Sequence, residues 1–313
     1  MRANDLLAGL GLPGRDPVDL PESEKRFPDG AQYRVEIPSV EGPRVLEAVL
    51  DEAEKRGVQL HRISQGSGIM LQTDSEIREM CAMAREAGLE LSLFVGPRAS
   101  WETGASITSG AGKTLGAQHR GQDQLAYAPE DVLRGVELGL RGVLVADAGL
   151  LWVLRDLKKN GDLPQDLVVK VSVQLSAANA AAIKAMEDLG ADTYNVPTDL
   201  SLAQLAAMRT VSDIPLDVYV EVPDDFGGFV RHYEIPDLVR VASPVFVKFG
   251  LRNAPNIYPS GTHLEPTAIA LGRERVRRAE IGLSILERYF PNAETTGRDA
   301  RFPGIPVEAK ERV

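Results

Sequence analysis

Cysteine and histidine are both scarce in the sequence. Cys81 is the single cysteine among 313 residues, so neither an internal disulfide nor an all-cysteine metal site can form. It falls with Ile77 and Met80 on one face of a helical pattern, which indicates a core position. The four histidines have no zinc-binding spacing such as H-E-x-x-H, so a histidine-rich zinc site is not expected.

Long apolar runs and excess positive charge are also absent. No stretch reaches the roughly 18 apolar residues of a membrane-spanning helix, and the first residues show no signal-peptide cleavage pattern. The formal net charge of −10 disfavours binding to phosphate backbones. We therefore expect a cytoplasmic protein that binds neither nucleic acid nor membrane.

Eight β-branched runs recur along the chain, and each is followed by a segment with helical apolar spacing. The runs cover residues 33–39, 60–64, 90–96, 142–147, 168–174, 193–197, 216–222 and 245–250. Strands joined by crossover helices pair in parallel, and a closed barrel leaves no unprotected edge. An open doubly wound sheet is the alternative, but a dinucleotide fingerprint is absent.

The predicted fold is therefore α/β, a single-domain (β/α)₈ TIM barrel over residues 31–290. Residues 1–30 form an N-terminal extension and residues 291–313 a C-terminal tail. Both are rich in Pro, Gly and charge, so we expect them to be caps, tails or contacts of a homo-oligomer. Within the barrel, Asp74 is the expected N-cap of one helix, and several helices end just before a glycine.

Polar residues are concentrated where the predicted strands end, and in TIM barrels those ends form the active site. Asp147, the last residue of the fourth run, is a predicted catalytic residue. The predicted substrate-binding residues are Glu36, Arg62, Gln174, Asn195, Arg252 and His263. The expected ligand is a small molecule.

Glu221 and Lys248 are the predicted central catalytic pair. Period-two alternation places Asp217 and Glu221 on the inner face of the seventh strand and Lys248 on the inner face of the eighth. A buried lysine beside a carboxylate can be a general base, a Schiff-base nucleophile, an electrostatic anchor or a plain ion pair. Lys170 lies four residues before the end of its run, so we expect it in the middle or bottom of the barrel, with a lesser role.

Carboxylates at the strand ends could also hold a hard divalent cation, Mg²⁺ or Mn²⁺, because such ions prefer oxygen ligands. Glu221 and Asp224 are the predicted ligands. A phosphate group is a further possibility after strands seven and eight, where Gly227 and Gly228 open a helix and Arg252 supplies charge. Asp224 would oppose an anion there unless a metal intervened.

The connection over residues 96–124 is unusually long for this fold and is the predicted lid. Its S-G-A-G-K-T stretch resembles a phosphate-binding loop, but the pattern requires glycine where the chain has Ile107. Lys113 and the glycines of this loop could close over an anionic substrate.

The segment from Val143 to Thr210 resembles the collagenase-like peptidase family, the unclassified peptidase family thirty-two. Its matching positions are Asp147, Gly149, Ser172, Gln174, Asn179 and the helix start at Leu200 to Leu205. The resemblance implies a TIM-type barrel with a site around Asp147 and Gln174. Many members carry a cysteine cluster that holds iron and sulfur, and this chain has no cysteine there.

Three functions remain open from the sequence. The first is a small-molecule lyase, aldolase or isomerase acting at a carbonyl or an acidic substrate. The second is a peptidase-like hydrolase in which a metal activates water. The third is a non-catalytic binding barrel, which requires the polar residues to pair among themselves and leave no pocket.

Overall fold

The computed structural model describes residues 19–96 and 117–309. Within these residues eight parallel strands close into a barrel in chain order, which confirms the predicted TIM-type architecture. The strands are β1 (Tyr33–Pro38), β2 (Arg62–Gln65), β3 (Glu90–Val95), β4 (Gly142–Val145), β5 (Val168–Val171), β6 (Thr193–Asn195), β7 (Leu216–Glu221) and β8 (Val245–Phe249).

Eight α-helices of the described residues accompany the strands. They are α1 (Pro43–Arg56), α2 (Asp74–Glu86), α3 (Gly121–Glu137), α4 (Ala148–Asn160), α5 (Ala180–Asp188), α6 (Leu202–Arg209), α7 (Ile235–Ala242) and α8 (Glu265–Tyr289). The predicted N-cap of α2 is wrong by one residue, because Thr73 caps it in a reciprocal capping box with Glu76. None of the described helices is long and apolar enough to cross a membrane.

The N-terminal ends of the strands are closed by aromatic and cationic side chains stacked in alternation. The Arg34 guanidinium lies 4.1 Å from the centroid of the Phe27 ring and 3.9 Å from that of Phe302. Phe27 meets Phe246 edge to face with centroids 5.4 Å apart, and Phe246 lies 3.4 Å from the Arg62 guanidinium. Cation–π and aromatic contacts of this kind favour close packing. The open mouth of the barrel is therefore at the opposite end.

His61 belongs to the same closed end. Its Nδ1 accepts a hydrogen bond from the backbone N–H of Val35 at 3.0 Å, and its Nε2 lies 3.1 Å from the Thr296 carbonyl oxygen. Because Val35 can only donate, Nδ1 is unprotonated and Nε2 is the donor. Burial lowers the pKa of His61 to about 4. His61 therefore has a structural role at the closed end.

Gly304 provides a stability test of the closed end. Gly304 and Gly30 share a φ of +89°, but a Cβ on Gly304 would lie 2.4 Å from Glu90 Cγ, whereas one on Gly30 would meet nothing within 4 Å. Alanine at either position should cost about 1–2 kcal/mol for the left-handed backbone. Gly304→Ala should cost a further ~1–3 kcal/mol for overpacking. Urea unfolding of both variants measures the difference, and equal losses would show that the contact with Glu90 is not tight.

Candidate active site

Six charged side chains meet inside the barrel, and we refer to them as the charge cluster. None is more than 3 % exposed as a side chain. The members are the cations Arg62, Lys170 and Lys248 and the carboxylates Glu36, Glu90 and Asp217. Bulky branched apolar residues normally dominate the interior layers of this fold. The interior of this barrel is therefore unusually polar.

Glu36, on β1, is the centre of the charge cluster. Its Oε1 accepts a hydrogen bond from Ser64 Oγ at 2.6 Å and lies 3.0 Å from Lys248 Nζ. Its Oε2 contacts Lys170 Nζ and lies 3.2 Å from Arg62 Nη1. Burial alone would raise the pKa of Glu36, but the three surrounding cations outweigh it and hold the pKa well below its usual value. Glu36 is thus ionised, and both of its carboxylate oxygens contact neighbouring polar or charged side chains.

Asp217, on β7, is the second anionic partner. Its carboxylate lies 2.8 Å from Arg62 Nη1 and 3.1 Å from Lys170 Nζ, and it accepts a hydrogen bond from Thr193 Oγ1 at 2.7 Å. Arg62 Nε lies 2.7 Å from Glu90 Oε1, where burial raises the pKa of Glu90 despite that guanidinium. Arg62 is therefore held by three carboxylates, and it is not free to orient a substrate as predicted.

Lys170 lies in the middle of the barrel, as its distance from the end of its run predicted. Burial lowers its pKa to about 8, although Asp217 and Glu36 act in the opposite direction. The sequence interpretation gave it a lesser role. The structure instead places it between two carboxylates with a pKa close to neutral pH, which is the kind of perturbation that is concentrated at functional sites.

The Lys170 pKa predicts how stability should vary with pH. Between about pH 8 and pH 10.5 the unfolded chain keeps a proton on this lysine that the folded chain has lost, so unfolding takes up a proton. The free energy of unfolding should gain up to ~1.4 kcal/mol per pH unit from this group across the window. Urea titrations of wild type and Lys170→Met, compared with the surface variant Lys159→Met, measure it. Parallel curves for wild type and Lys170→Met would contradict the lowered pKa.

Lys248 is the lysine of the charge cluster nearest the mouth, and Asn195 lies beside it. Lys248 Nζ lies 2.7 Å from Asn195 Oδ1 and 4.5 Å from the centroid of the Tyr219 ring. Asn195 is the last residue of β6, and Lys170 is in register with Thr193, two residues earlier on that strand. Lys248 is therefore the amine of the charge cluster that lies nearest to a molecule entering the mouth.

The predicted pairing of Glu221 with Lys248 is wrong. A β-bulge interrupts β7, so that Tyr219 pairs with Lys248 while Glu221 pairs with Phe249. The extra residue reverses the alternation of inward and outward side chains. Glu221 Oε2 consequently lies 3.7 Å from Arg278 Nε on the outer helix α8. Simple alternation could not reveal the bulge, and Glu36 is the carboxylate that meets Lys248.

Asp147 lies where the sequence placed it, at the C-terminal end of β4. Its Oδ1 caps α4 by accepting from Leu150 N at 2.8 Å, and its Oδ2 accepts from His119 N at 2.9 Å. Burial raises the pKa of Asp147, but these hydrogen bonds outweigh it and the net shift is downward. The geometry accounts for Asp147 as a helix cap, and its predicted catalytic role stays a prediction.

Charged side chains in the loops after β7 and β8 are paired with other groups of the protein. Arg252 Nη2 lies 3.1 Å from Asp224 Oδ1, and Asn253 N donates to Asp224 Oδ2. Arg231 donates to the carbonyl of Leu200 at 2.8 Å. The Asp224 carboxylate thus occupies donors that a phosphate would need, which disfavours the phosphate that the sequence left as a possibility. Arg252 is half-exposed and bound to Asp224, and His263 is exposed just before α8.

A metal site at Glu221 and Asp224 stays a prediction. Glu221 Oε1 accepts from Arg252 N at 3.0 Å, and Asp224 is bound by the groups described above, so both carboxylates already have protein partners. Across residues 19–96 and 117–309, no group of three or more His, Cys, Asp or Glu side chains is arranged to hold a metal ion. Elemental analysis of the purified protein for magnesium and manganese would test the prediction.

A cavity of about 250 Å³ opens at the mouth beside β5, β6 and β7, and we call it the mouth cavity. It is lined by Val173, Gln174, Ser176, Pro197, Thr198, Asp199, Phe226 and Gly227. Its wall is fixed where Thr198 Oγ1 donates to the Phe226 carbonyl at 2.6 Å. Of the predicted substrate-binding residues, Gln174 lies on this cavity. The predicted lid falls largely on residues 97–116, which lie outside the described residues.

The family comparison bears on the β4 to β7 half of the barrel. The profile of peptidase family U32 matches residues 114–222. The resemblance to this family is confirmed. No curated protein sequence matches the chain.

Solved structures share the barrel at low identity. The U32 peptidase Mk0906 is 18% identical, with 66% of this chain and 73% of that chain covered and a TM-score of 0.40. A truncated 3-deoxy-D-arabino-heptulosonate 7-phosphate synthase from Thermotoga maritima is 13% identical, with 87% and 94% covered and a TM-score of 0.45. Thiamine phosphate pyrophosphorylase from Pyrococcus furiosus is 14% identical, with 82% and 98% covered and a TM-score of 0.41. These likenesses concern the fold.

The iron–sulfur chemistry implied by the U32 resemblance does not fit this chain. Its single cysteine, Cys81, lies on α2 and is 2 % exposed. Burial raises the pKa of its thiol to about 12, which keeps it protonated and unavailable as a ligand. The prediction that Cys81 is a core residue is confirmed, and no reaction step is assigned to a cluster.

Proposed function

We propose that the chain is a small-molecule lyase, aldolase or isomerase that acts at a carbonyl group, with Lys248 as the reacting residue. The charge cluster carries the proposal. Burying ionised groups is costly, and well-packed apolar residues often give equal or greater stability. A barrel core with six charges is therefore poorly explained by stability alone, and a buried lysine beside a carboxylate is a group that can form a Schiff base with a carbonyl compound.

The chemistry proposed for Lys248 is Schiff-base formation. Its ammonium gives one proton to Lys170 in the molecules in which Lys170 is neutral, by way of the Glu36 carboxylate that contacts both amines. The neutral Lys248 amine then adds to the substrate carbonyl. The proton returns from Lys170 to the hydroxyl of the adduct, which leaves as water, and a cationic imine remains. The imine draws electrons from an adjacent C–H bond, or from a C–C bond next to a hydroxyl group, and so allows that bond to break. The proton released in that step is taken up by Lys170, which is neutral again. Addition of water in the reverse sense releases the product and restores the amine.

Lys170 makes the proton transfer from Lys248 feasible. With a pKa of about 8, it is neutral in about one molecule in ten at pH 7. Glu36 contacts both amines through its two carboxylate oxygens, so a proton from Lys248 can be shared with Lys170. Lys170 is thus a positioning and proton-holding residue, whereas Lys248 meets the substrate.

The substrate is proposed to lie in the mouth cavity. Asn195 holds Lys248 and ends β6. Pro197 and Thr198, two and three residues further along the chain, line the cavity. Gln174 supplies an amide that can hydrogen-bond a polar substrate group. This arrangement brings a small molecule on the β5–β7 side of the mouth towards Lys248.

Solvent-deuterium exchange tests the proposed function. Hydroxyacetone, incubated with the protein in deuterated buffer and followed by proton NMR, should lose hydrogen from the carbon beside its carbonyl faster than in buffer alone. Lys159→Met, which changes an exposed lysine, should behave as wild type. An exchange rate equal to that of buffer would overturn the proposal.

A peptidase-like hydrolase is the second candidate, and the U32 match over residues 114–222 favours it. In that reading Glu221 and Asp224 would hold a divalent metal that activates water. A stoichiometric metal, together with peptide hydrolysis that a chelator abolishes, would support this candidate.

A non-catalytic binding barrel is the third candidate, and the mutual pairing of the charge cluster favours it. It predicts that a ligand binds without hydrogen exchange.

A further inference from the structure

We propose that the mouth cavity recognises the ammonium group of an amine-bearing substrate, with Asp199 as its counter-charge. The inference rests on the proposed function, because it specifies the substrate class of the same site. Among the residues that line the cavity, Asp199 is the charged one, and the others are neutral polar or apolar. An anionic group in this space would face a carboxylate, whereas a cation would be attracted to it.

The nearby cations do not neutralise Asp199. Arg231 Nη2 lies 2.6 Å from Glu234 Oε2, and its other nitrogen donates to the Leu200 carbonyl. Arg252 is paired with Asp224. Within residues 19–96 and 117–309, Asp199 forms no ion pair with any of these groups. The charge of the cavity lining is therefore negative.

Phe226 adds a second feature that suits a cation. Phe226 is a residue of the cavity lining, and its backbone carbonyl is held by Thr198 Oγ1, which fixes the residue in the cavity wall. An aromatic face attracts an ammonium group through its quadrupole. A carboxylate and an aromatic ring on one cavity wall together favour a primary amine over a carboxylate or phosphate.

The combined geometry defines the substrate class as a small amino carbonyl compound. The ammonium group of this compound would lie against Asp199 and Phe226. Gln174 would hydrogen-bond a polar group between the ammonium and the carbonyl. The carbonyl of the compound would point towards Lys248 beneath. The sequence left a carbonyl or an acidic substrate open, and the cavity lining favours the carbonyl without the acidic group.

Ligand-observed NMR with simple probes tests the cavity. Butylammonium should bind wild type several-fold more tightly than butyrate or 1-butanol does. Asp199→Asn should weaken butylammonium about three- to five-fold, the range expected for a partly exposed ion pair, without weakening 1-butanol. Phe226→Leu should weaken butylammonium as well. Asp162→Asn removes an exposed carboxylate elsewhere and should change neither ligand.

Preferential binding of butyrate would overturn the proposal, as would an Asp199→Asn protein with unchanged affinity for butylammonium. Exchange experiments separate this failure from that of the proposed function. Aminoacetone should exchange faster than hydroxyacetone in wild type, and Asp199→Asn should remove the advantage. If hydroxyacetone exchanges but the amine has no advantage, the cavity assignment fails alone. If butylammonium binds and no carbonyl compound exchanges, the proposed chemistry fails alone.

Discussion

Glu36→Gln is expected to lower the free energy of unfolding by about 3–5 kcal/mol, the range seen when one partner of a buried ion pair is removed. Glu36 contacts Lys170, Lys248 and Arg62 inside the barrel, so a neutral side chain leaves three buried cations with too few anions. Urea unfolding at neutral pH measures the loss. Glu274→Gln, at a partly exposed ion pair on α8, should cost no more than about 1 kcal/mol.

The loss of unfolding free energy caused by Glu36→Gln should disappear in acid. The lowered pKa of Glu36 means that its stabilisation is present above the unfolded-state value of 4.5. The contribution is lost as the pH falls below that value towards the folded-state pKa. The difference between wild type and Glu36→Gln should therefore shrink over that window.

The double variant Glu36→Gln/Lys170→Met is the companion measurement for the Glu36 loss. Removing a cation together with the anion restores the balance of charge, so the double variant should be more stable than Glu36→Gln alone. A single variant that costs no more than Glu274→Gln would contradict the placement of Glu36 at the centre of the charge cluster.

Replacement of Lys248 is expected to have the largest effect on activity. Lys248→Met should reduce the exchange rate of hydroxyacetone by about 10³-fold or more, because the residue that bonds to the substrate is lost. Lys248→Arg keeps the positive charge beside Glu36 and Asn195 but cannot form an imine, so it should be equally inactive. Urea unfolding of both variants controls for loss of the fold.

The two Lys248 variants separate a nucleophile from an electrostatic anchor. An anchor requires only a positive charge, and an arginine supplies one. Substantial exchange by Lys248→Arg, with Lys248→Met inactive, would therefore show that Lys248 stabilises charge without bonding to the substrate. Full exchange by Lys248→Met would show that the reaction does not use this residue.

The sequence predicted the barrel well because its signals are local. Each strand was visible as a β-branched run. Seven of the eight observed strands end one to three residues before the predicted ends, and β2 ends one residue after its predicted end. Alternation also placed Asp217 and Lys248 inside the barrel, where the structure has them. Helical spacing and terminal glycines similarly marked the helices.

The site was less predictable because it depends on contacts between distant strands. Glu36, Lys170 and Asp217 come from β1, β5 and β7, and they meet only when the barrel closes. Glu221 was misplaced because a bulge shifts the alternation on β7. The mouth cavity is bounded by short segments after three strands, and no single stretch of sequence carries its shape or its charge.

The most direct test of the central claim is to identify the lysine that bonds to a carbonyl compound. Borohydride reduction in the presence of hydroxyacetone converts an imine into a stable amine, and peptide mass spectrometry locates it. We expect the adduct on Lys248 in wild type and no adduct at Lys170 or Lys158. Adducts confined to exposed lysines, with Lys248 unmodified, would contradict the account.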